Sequence, residues 1–600
     1  MEQAKKIPIV VGVTGHRNLV DEDKPKIREL VRANLKKIQN MCKAKGKHGG
    51  ETPVIMLNAF AQGADMLCAE VAFELGIDVY AVLPCRKERY IQSFDDEADR
   101  EKLFDYLERT KRQIVAPDME ENRKWLVSNG YTDRDSYEYR QLGIYIAEHS
   151  HILLALWDGK PPRAQFGCGT AEVIGFALEH KYLDKEHLFK PSAINDSVVL
   201  QIKVRRQGDG SAPDIRSEWL TVDPAKQNAL SGDPYARSAD PFSGNEVDEH
   251  FKFVKDIIEQ TVEYNAEKVK MSDDAVVLWE KTEQLDEYRM ALRYHHAKAD
   301  KASYDNNQVH YNRFMMILAI LGTLVASTFL LYDDASLPFM IFPCTALILI
   351  VMLLTQIGKR RAVHRKYVRY RVLAEAFRIQ FYSSMCLNEG EKNVMNVCNL
   401  QSWTQKMEMA WIYKAIQTLA ILSHSRVLDV DTDQVIETWI GKNGQLSYHT
   451  RKLPKHRKKA AFYDKLSTVF QTAAIVFYGI LFVLEVLGCV FKPLGIDWFW
   501  ENNIVAHVTW RNFGAIVVGL FTAGSLLLSS YWGKLSYDRK ADDNEKMQHF
   551  FASACERWSA VKACAPNETD KFIREIAREE IVENGIWCSY VSENRLEVNI

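Results

Sequence analysis

The sequence predicts an α/β domain built on a parallel sheet at the amino terminus, followed by an all-α membrane region with four transmembrane helices in two hairpins, and cytosolic helices around them. Three observations predict it. Short apolar runs alternate with helix-patterned segments through residue 205, the signature of parallel strands covered on both faces by crossover helices. Three of those runs end in glycine turns. Beyond residue 313, four nearly charge-free apolar runs are each long enough to cross a hydrocarbon core of ~30 Å.

The first strand is expected over Pro8–Val13 and runs into Thr14-Gly15-His16-Arg17. The second, Val54–Leu57, leads through Asn58 and Gln62-Gly63-Ala64-Asp65 into a helix pattern that ends near Gly76. Val79–Leu83 is the third strand, stopped by Pro84. Residues 86–115 are charged and helix-patterned and close on a strand at Gln113–Val115. Residues 116–135 read as a loop over the ligand face, followed by Tyr137, Tyr139 and Arg140. Those groups, with Tyr131 in the loop, are suited to stacking on a base or touching phosphate, or else the tyrosines are ordinary half-buried helix residues. Ile152–Trp157 is the next strand; after Asp158-Gly159-Lys160 come Gly167-Cys168-Gly169-Thr170 and an apolar helix pattern through Ala177. Ser197–Val204 completes the sheet. Residues 206–245, rich in Gly, Ser, Pro and Asp, read as a linker or surface excursion, and 246–313 as a cytosolic helical region.

A strand, a glycine-bearing turn and a helix start in that order make a place for an anion. Glycines let the backbone approach closely, and the first-turn N–H groups of the helix point at the ligand. Thr170 adds a hydroxyl that can cap the helix or touch a phosphate oxygen. In parallel sheets ligands sit beyond the carboxyl ends of the strands, where all three turns fall.

The Val13-Thr14-Gly15-His16-Arg17 start, the Gln62-Gly63-Ala64-Asp65 turn and the Gly167-Cys168-Gly169-Thr170-Ala171-Glu172 turn resemble the SLOG superfamily, the Rossmann-like group containing the DprA/SMF and Lonely Guy (LOG) proteins. The resemblance covers about the first 190 residues of a domain set at 1–205 and implies binding of a nucleotide or NAD-derived ligand. It assigns ligand contacts to Thr14, Gly15, His16, Arg17, Asn58, Gly63, Asp65, Arg140, Gly167, Cys168, Gly169, Thr170 and Glu172. Some LOG proteins cleave nucleoside monophosphates with an arginine, matched by Arg140, and a glutamate three residues after the motif threonine. Here that position is Val173, while Glu172 lies one residue earlier, about 100° round the helix. Phe166 also replaces the glycine preceding the usual pair. Binding without turnover is therefore the expectation; a hydrolase using Arg140 and Glu172 is the alternative.

Net charge is −2 over 600 residues, so no global charge argues for nucleic acid. The 11 cysteines have no metal-ligand spacing, and no metal site or secretory signal is expected. The apolar runs are Phe314–Tyr332 and Phe339–Ile357, a hairpin turning at Asp333–Pro338, and Ser467–Phe491 with Phe513–Trp532. Hairpin boundaries are set at 314–357 and 467–532, with cytosolic helices over 358–466 and 533–600. Basic residues crowd the segments flanking the hairpins (Lys359 to Arg371, Arg451 to Lys465) and are sparse in the hairpin turns. The positive-inside rule then places both termini in the cytosol, where nucleotides are, and the chain in a cell membrane as a multi-pass protein.

Lys301-Ala302-Ser303-Tyr304-Asp305 before the first hairpin resembles Lys459-Ala460-Ala461-Phe462-Tyr463-Asp464 before the second, as in a diverged repeat. The segments Tyr370–Arg378 and Ala577–Ile581 with Glu583 and Trp587 resemble SLATT domains, two-span modules found beside SLOG domains. That resemblance implies a bacterial inner-membrane effector of antiphage defence, switched by a nucleotide second messenger from a partner synthase. Ala515, Gly519 and Ala523 form a small-residue stripe on the fourth span, suited to close helix approach and homo-oligomeric pore assembly. Glu485, inside the third span, is either a functional carboxylate or one reaching the interface. A constitutive channel or scaffold is the remaining reading.

Overall fold

The computed structural model describes residues 5–43, 51–117, 127, 128, 130, 134–161, 167–180, 196–210, 212, 214–222, 235–239, 249–270, 278–306, 317, 320–322, 324–326, 328, 329, 338–361, 363–387, 396–400, 409–422, 430–496, 499–505, 508–564 and 566–593. Much of the expected first span, residues 333–337 of its turn, Tyr131 and Phe166 lie outside the described residues. Contacts group the chain into two units, one of residues 1–297, 375–430 and 573–585, the other of residues 298–374, 431–572 and 586–600. The spatial grouping thus cuts across the linear order of segments.

The first unit is organised on β1 (Ile9–Gly15), a largely β-branched run interrupted by Gly12, which pairs with strands on both sides. Towards one edge lie β2 (Val54–Asn58), β3 (Asp78–Leu83) and β4 (Arg112–Val115); towards the other lie β5 (Ile152–Trp157) and β6 (Val198–Lys203), all parallel. Two antiparallel strands, β7 (Ser217–Val222) and β8 (Tyr235–Ser238), extend the β6 edge, so the described sheet has eight strands and is mixed. They fall inside the segment read as a linker. Their polar faces hid them, whereas Trp219 and Leu220 are buried.

Strand alternation sends Ile9, Val11 and Val13 to one face and Val10 to the other. On the first face pack α1 (Lys24–Met41), through Ile27, Val31, Leu35 and Ile38 at helical spacing, and α2 (Ala64–Glu74). The short α3 (Lys87–Gln92), α4 (Glu97–Arg109) and α7 (Glu249–Ala266) complete that layer. The second face takes α5 (Arg134–His149) and α6 (Thr170–Glu179). Burying apolar strands on both faces is what makes a parallel sheet stable. The connection order runs outward from β1 to β4, then returns to β5 on the other side of β1. The crevice at the carboxyl ends of β1 and β5 is therefore the topological switch point.

Helical segments distant in sequence pack onto this unit. On α11 (Ala410–Ala420), the fully buried Lys414 donates to Asp196 Oδ1 at 3.0 Å and to the Glu148 carbonyl at 2.8 Å. On α10 (Val363–Cys386), Arg378 is held by Glu375 (2.7 Å) and by Glu580 (3.5 Å) of α16 (Pro566–Glu593). The segments Tyr370–Arg378 and Ala577–Ile581 thus contribute Glu375, Arg378 and Glu580 to one ionic cluster, in which the carboxylates outweigh burial and raise the arginine pKa.

In the second unit, α13 (Gln445–Phe491) runs unbroken through the expected third span. Among the described residues it is the helix long and apolar enough to cross a membrane; its apolar stretch is not covered by protein, with Ile475 71% and Phe482 62% exposed. It packs against α14 (Trp510–Leu535): Phe477 stacks on Phe521 at 5.3 Å, and a Cβ on Gly514 would come within 2.5 Å of Leu481. The close approach uses Gly514 and Gly524, each one residue from Ala515 and Ala523, and leaves Ala515, Gly519 and Ala523 half-buried. Glu485 pairs with Arg511 at 2.6 Å and accepts from Trp500 Nε1 at 3.2 Å, which clasps the mouth of the hairpin. In the segment expected to return from the first span, α9 (Ile341–Arg361) also exposes Phe342, Leu349 and Leu353.

Candidate functional site

The three glycine turns meet at His16. Gly15 is needed because a Cβ there would fall 2.3 Å from Ala64 Cβ at the head of α2. That contact carries His16 over the helix start, where its carbonyl accepts the Ala64 N–H at 3.1 Å. Gly63 has φ +79°, open to glycine at least cost. On the other side the His16 ring comes to 3.5 Å from Thr170 Oγ1, the first helical residue after Gly169. Thr14 ends the strand half-buried, and Cys168 stands between the two glycines of the third turn.

Two residues that the sequence reading passed over organise this point. Asp158, at the carboxyl end of β5, faces His16 Nε2 at 3.1 Å and Arg206 Nε at 2.9 Å. Burial alone would raise the Asp158 pKa; the His16 contact, the Lys160 N–H and Arg206 overcome it and bring the pKa down to about 2. Asp158 is thus a fixed anion at the switch point. A carboxylate directly after an apolar strand was the available signal, but Arg206 lies too far along the chain for any spacing rule to join it.

Carboxylate, imidazole and hydroxyl follow in the order of a nucleophile relay. At 3.5 Å, however, the His16–Thr170 step is long for proton transfer and Thr170 is buried. The array orients the third turn. Arg140 does the same from behind: it is buried, donates to the Gly167 carbonyl at 2.8 Å and lies 4.7 Å over the Phe176 ring. Glu172 lies against Gly169, since a Cβ there would meet its Oε2 at 2.7 Å. Val173 instead packs into the core against Gly143, where a glutamate would be buried away from the crevice.

The second turn is built from its own hydrogen bonds. Buried Asn58 donates to the Asp65 carbonyl (2.9 Å) and accepts the N–H of Phe60 (2.6 Å), which holds Phe60 at φ 55°. Both polar atoms of Asn58 therefore serve the turn. Arg17 reaches solvent, lies 5.4 Å over the Tyr139 ring and brings positive charge to Asp65. Burial pushes the Asp65 pKa up to about 7, against the Ala61 N–H and Arg17.

An acid whose folded pKa exceeds its unfolded value of ~3.9 binds its proton more tightly when folded, so its stabilising contribution is present below that value. It is lost as pH rises through about 7. Asp65→Asn should therefore gain stability over wild type between pH 4 and 8, on the order of a few kcal/mol. Melting temperatures of both proteins across that range test it; parallel curves would show that Asp65 ionises normally.

Among the described residues no cluster of His, Cys, Asp and Glu could hold a metal ion. The crevice offers a fixed anion at Asp158, the imidazole of His16, cations at Arg17 and Arg206, and the start of α6 with Thr170, a set suited to a ligand carrying both hydroxyls and phosphate. No protein-family model matches this chain, and no curated protein matches it.

Proposed function

We propose that this chain is a nucleotide-signal-sensing membrane effector, a SLOG-like sensor joined to SLATT-like membrane modules, acting in bacterial antiphage defence. A nucleotide or NAD-derived second messenger docks in the β1/β5 crevice, and its binding energy rearranges the helices in the bilayer into a pore or a disrupting assembly. One observation carries the reading: three glycine turns far apart in sequence converge on His16 at a switch point, in a chain that also bears a long, uncovered apolar helix. The remaining three apolar runs are assigned to the membrane with it, giving four spans, cytosolic termini and a homo-oligomer. The buried Val173 favours binding over LOG-type hydrolysis, since it removes the family's glutamate from the ligand face.

A ligand gates the assembly only if it binds the two arrangements with different affinity. The test is dye release from liposomes holding the full-length protein, with NAD, ADP-ribose and cyclic mono- and dinucleotides added singly. The expected result is release with one of them and none from Gly169→Asp. Release that is the same with and without every nucleotide ends the proposal and leaves a constitutive channel; free base or sugar in the same samples points to the hydrolase.

A further inference from the structure

Below its apolar stretch α13 packs along α15 (Tyr537–Val561), the helix that follows α14. Asn544 of α15 bridges two histidines of α13, with Oδ1 3.0 Å from His449 Nδ1 and Nδ2 3.2 Å from His456 Nδ1. Tyr463 and Tyr537 stack nearly parallel, 6.2 Å apart. Lys459 and Lys540, one from each helix, approach the same ring, 5.2 and 5.0 Å from the centroid of Tyr537.

Among the described residues neither lysine has a carboxylate partner, although carboxylates nearby are used: Glu545 takes Arg457 at 2.8 Å and Asp433 takes Lys562 at 3.0 Å. The imbalance is local. Half-buried Lys540 is pushed down to about 8 by burial and then by Lys459. Lys452 and His456 are lowered too, first by burial and then by a surround of lysines and Arg371. The Lys540 backbone, the one opposing influence on His456, raises it. Such concentrated positive charge raises the local concentration of anions. Its place in the chain says which. Lys459 stands eight residues before Ser467, ~12 Å along the helix, and Lys540 follows the end of α14 at Leu535. Both therefore stand at the depth of lipid headgroups when α13 and α14 span the bilayer.

We infer that a phosphate group sits between Lys459 and Lys540 beside Tyr537, and that it belongs to the headgroup of an anionic phospholipid of the cytoplasmic leaflet. The inference rests on the membrane insertion of α13 and not on any ligand in the β1/β5 crevice. Bound headgroups would tie α13 to α15 just below the membrane, making anionic lipid a condition of the assembled state.

The test places full-length protein in nanodiscs of phosphatidylcholine with or without phosphatidylglycerol, and measures the phosphatidylglycerol retained per chain after transfer to detergent, with melting temperatures in both discs. Lys459→Gln/Lys540→Gln should retain about tenfold less than wild type, and should melt higher than wild type in pure phosphatidylcholine, where the like charges are unrelieved. Lys458→Gln/Lys465→Gln, an equal loss of charge away from the Lys459–Lys540 pair, should fall less than about twofold. Wild-type protein that enters the discs but retains phosphatidylglycerol no better than Lys459→Gln/Lys540→Gln overturns the site alone. Failure to enter phosphatidylcholine discs overturns the membrane reading with it. Millimolar inorganic phosphate stabilising wild type in phosphatidylcholine as much as phosphatidylglycerol does would overturn the headgroup as the source.

Discussion

Gly63→Ala is expected to destabilise the amino-terminal unit by about 3–5 kcal/mol and to abolish ligand binding in the crevice. The added Cβ would lie 2.0 Å from the Arg17 carbonyl oxygen and 2.8 Å from that of His16. These are backbone atoms, which cannot swing aside as a side chain would. Relief requires the loop after β1 to lift from the head of α2, which breaks the Ala64-to-His16 hydrogen bond and withdraws His16 from Asp158 and Thr170. Gly76→Ala is the matched control: its φ is +67° but nothing lies within 4 Å of the added atom, so only the conformational penalty of about 1 kcal/mol remains. Thermal melts of the two variants should differ severalfold in their shifts. Equal shifts would mean that the first two turns do not touch.

Lys414→Met should cost about 3–5 kcal/mol, because it leaves the Asp196 carboxylate buried without its ammonium. Lys414→Met/Asp196→Leu should recover most of that loss, since a buried ion pair and an apolar pair of similar volume have similar stability. The surroundings sharpen the expectation. His149 and His151, beside the pair, are held neutral by burial first and then by the Lys414 charge, with pKa values of about 4 and about 3. His151 Nδ1 accepts the Val10 N–H at 3.1 Å and so must stay unprotonated. Neither histidine therefore replaces the Lys414 charge beside Asp196 at neutral pH. A single variant that melts with wild type would show that α11 is not anchored there.

The α/β half was legible because its signals are local. Apolar runs of β-branched residues, a glycine at each strand end and helical spacing behind it are all short-range patterns, and Arg140 was reachable through the motif that follows it. Asp158 and Arg206 were not, because their pairing depends on β5 and β6 lying side by side. Lys414 left a faint trace as a lysine within an otherwise apolar helix, but its partner is more than two hundred residues away. β7 and β8 were read as linker because half of each strand is polar, and only their place on the sheet edge makes them strands.

By itself, the order of residues determined the alternation of strands and helices, the positions of the glycine turns and the apolar stretch of α13. These follow from each residue's own solubility and backbone freedom, which travel with the sequence. Tertiary structure alone decided which turns meet, that Asn58 serves its own turn while Asp158 anchors His16, and that Lys459 and Lys540 crowd one tyrosine. Such facts depend on distances between segments, and a distance between segments exists only once the chain has closed on itself.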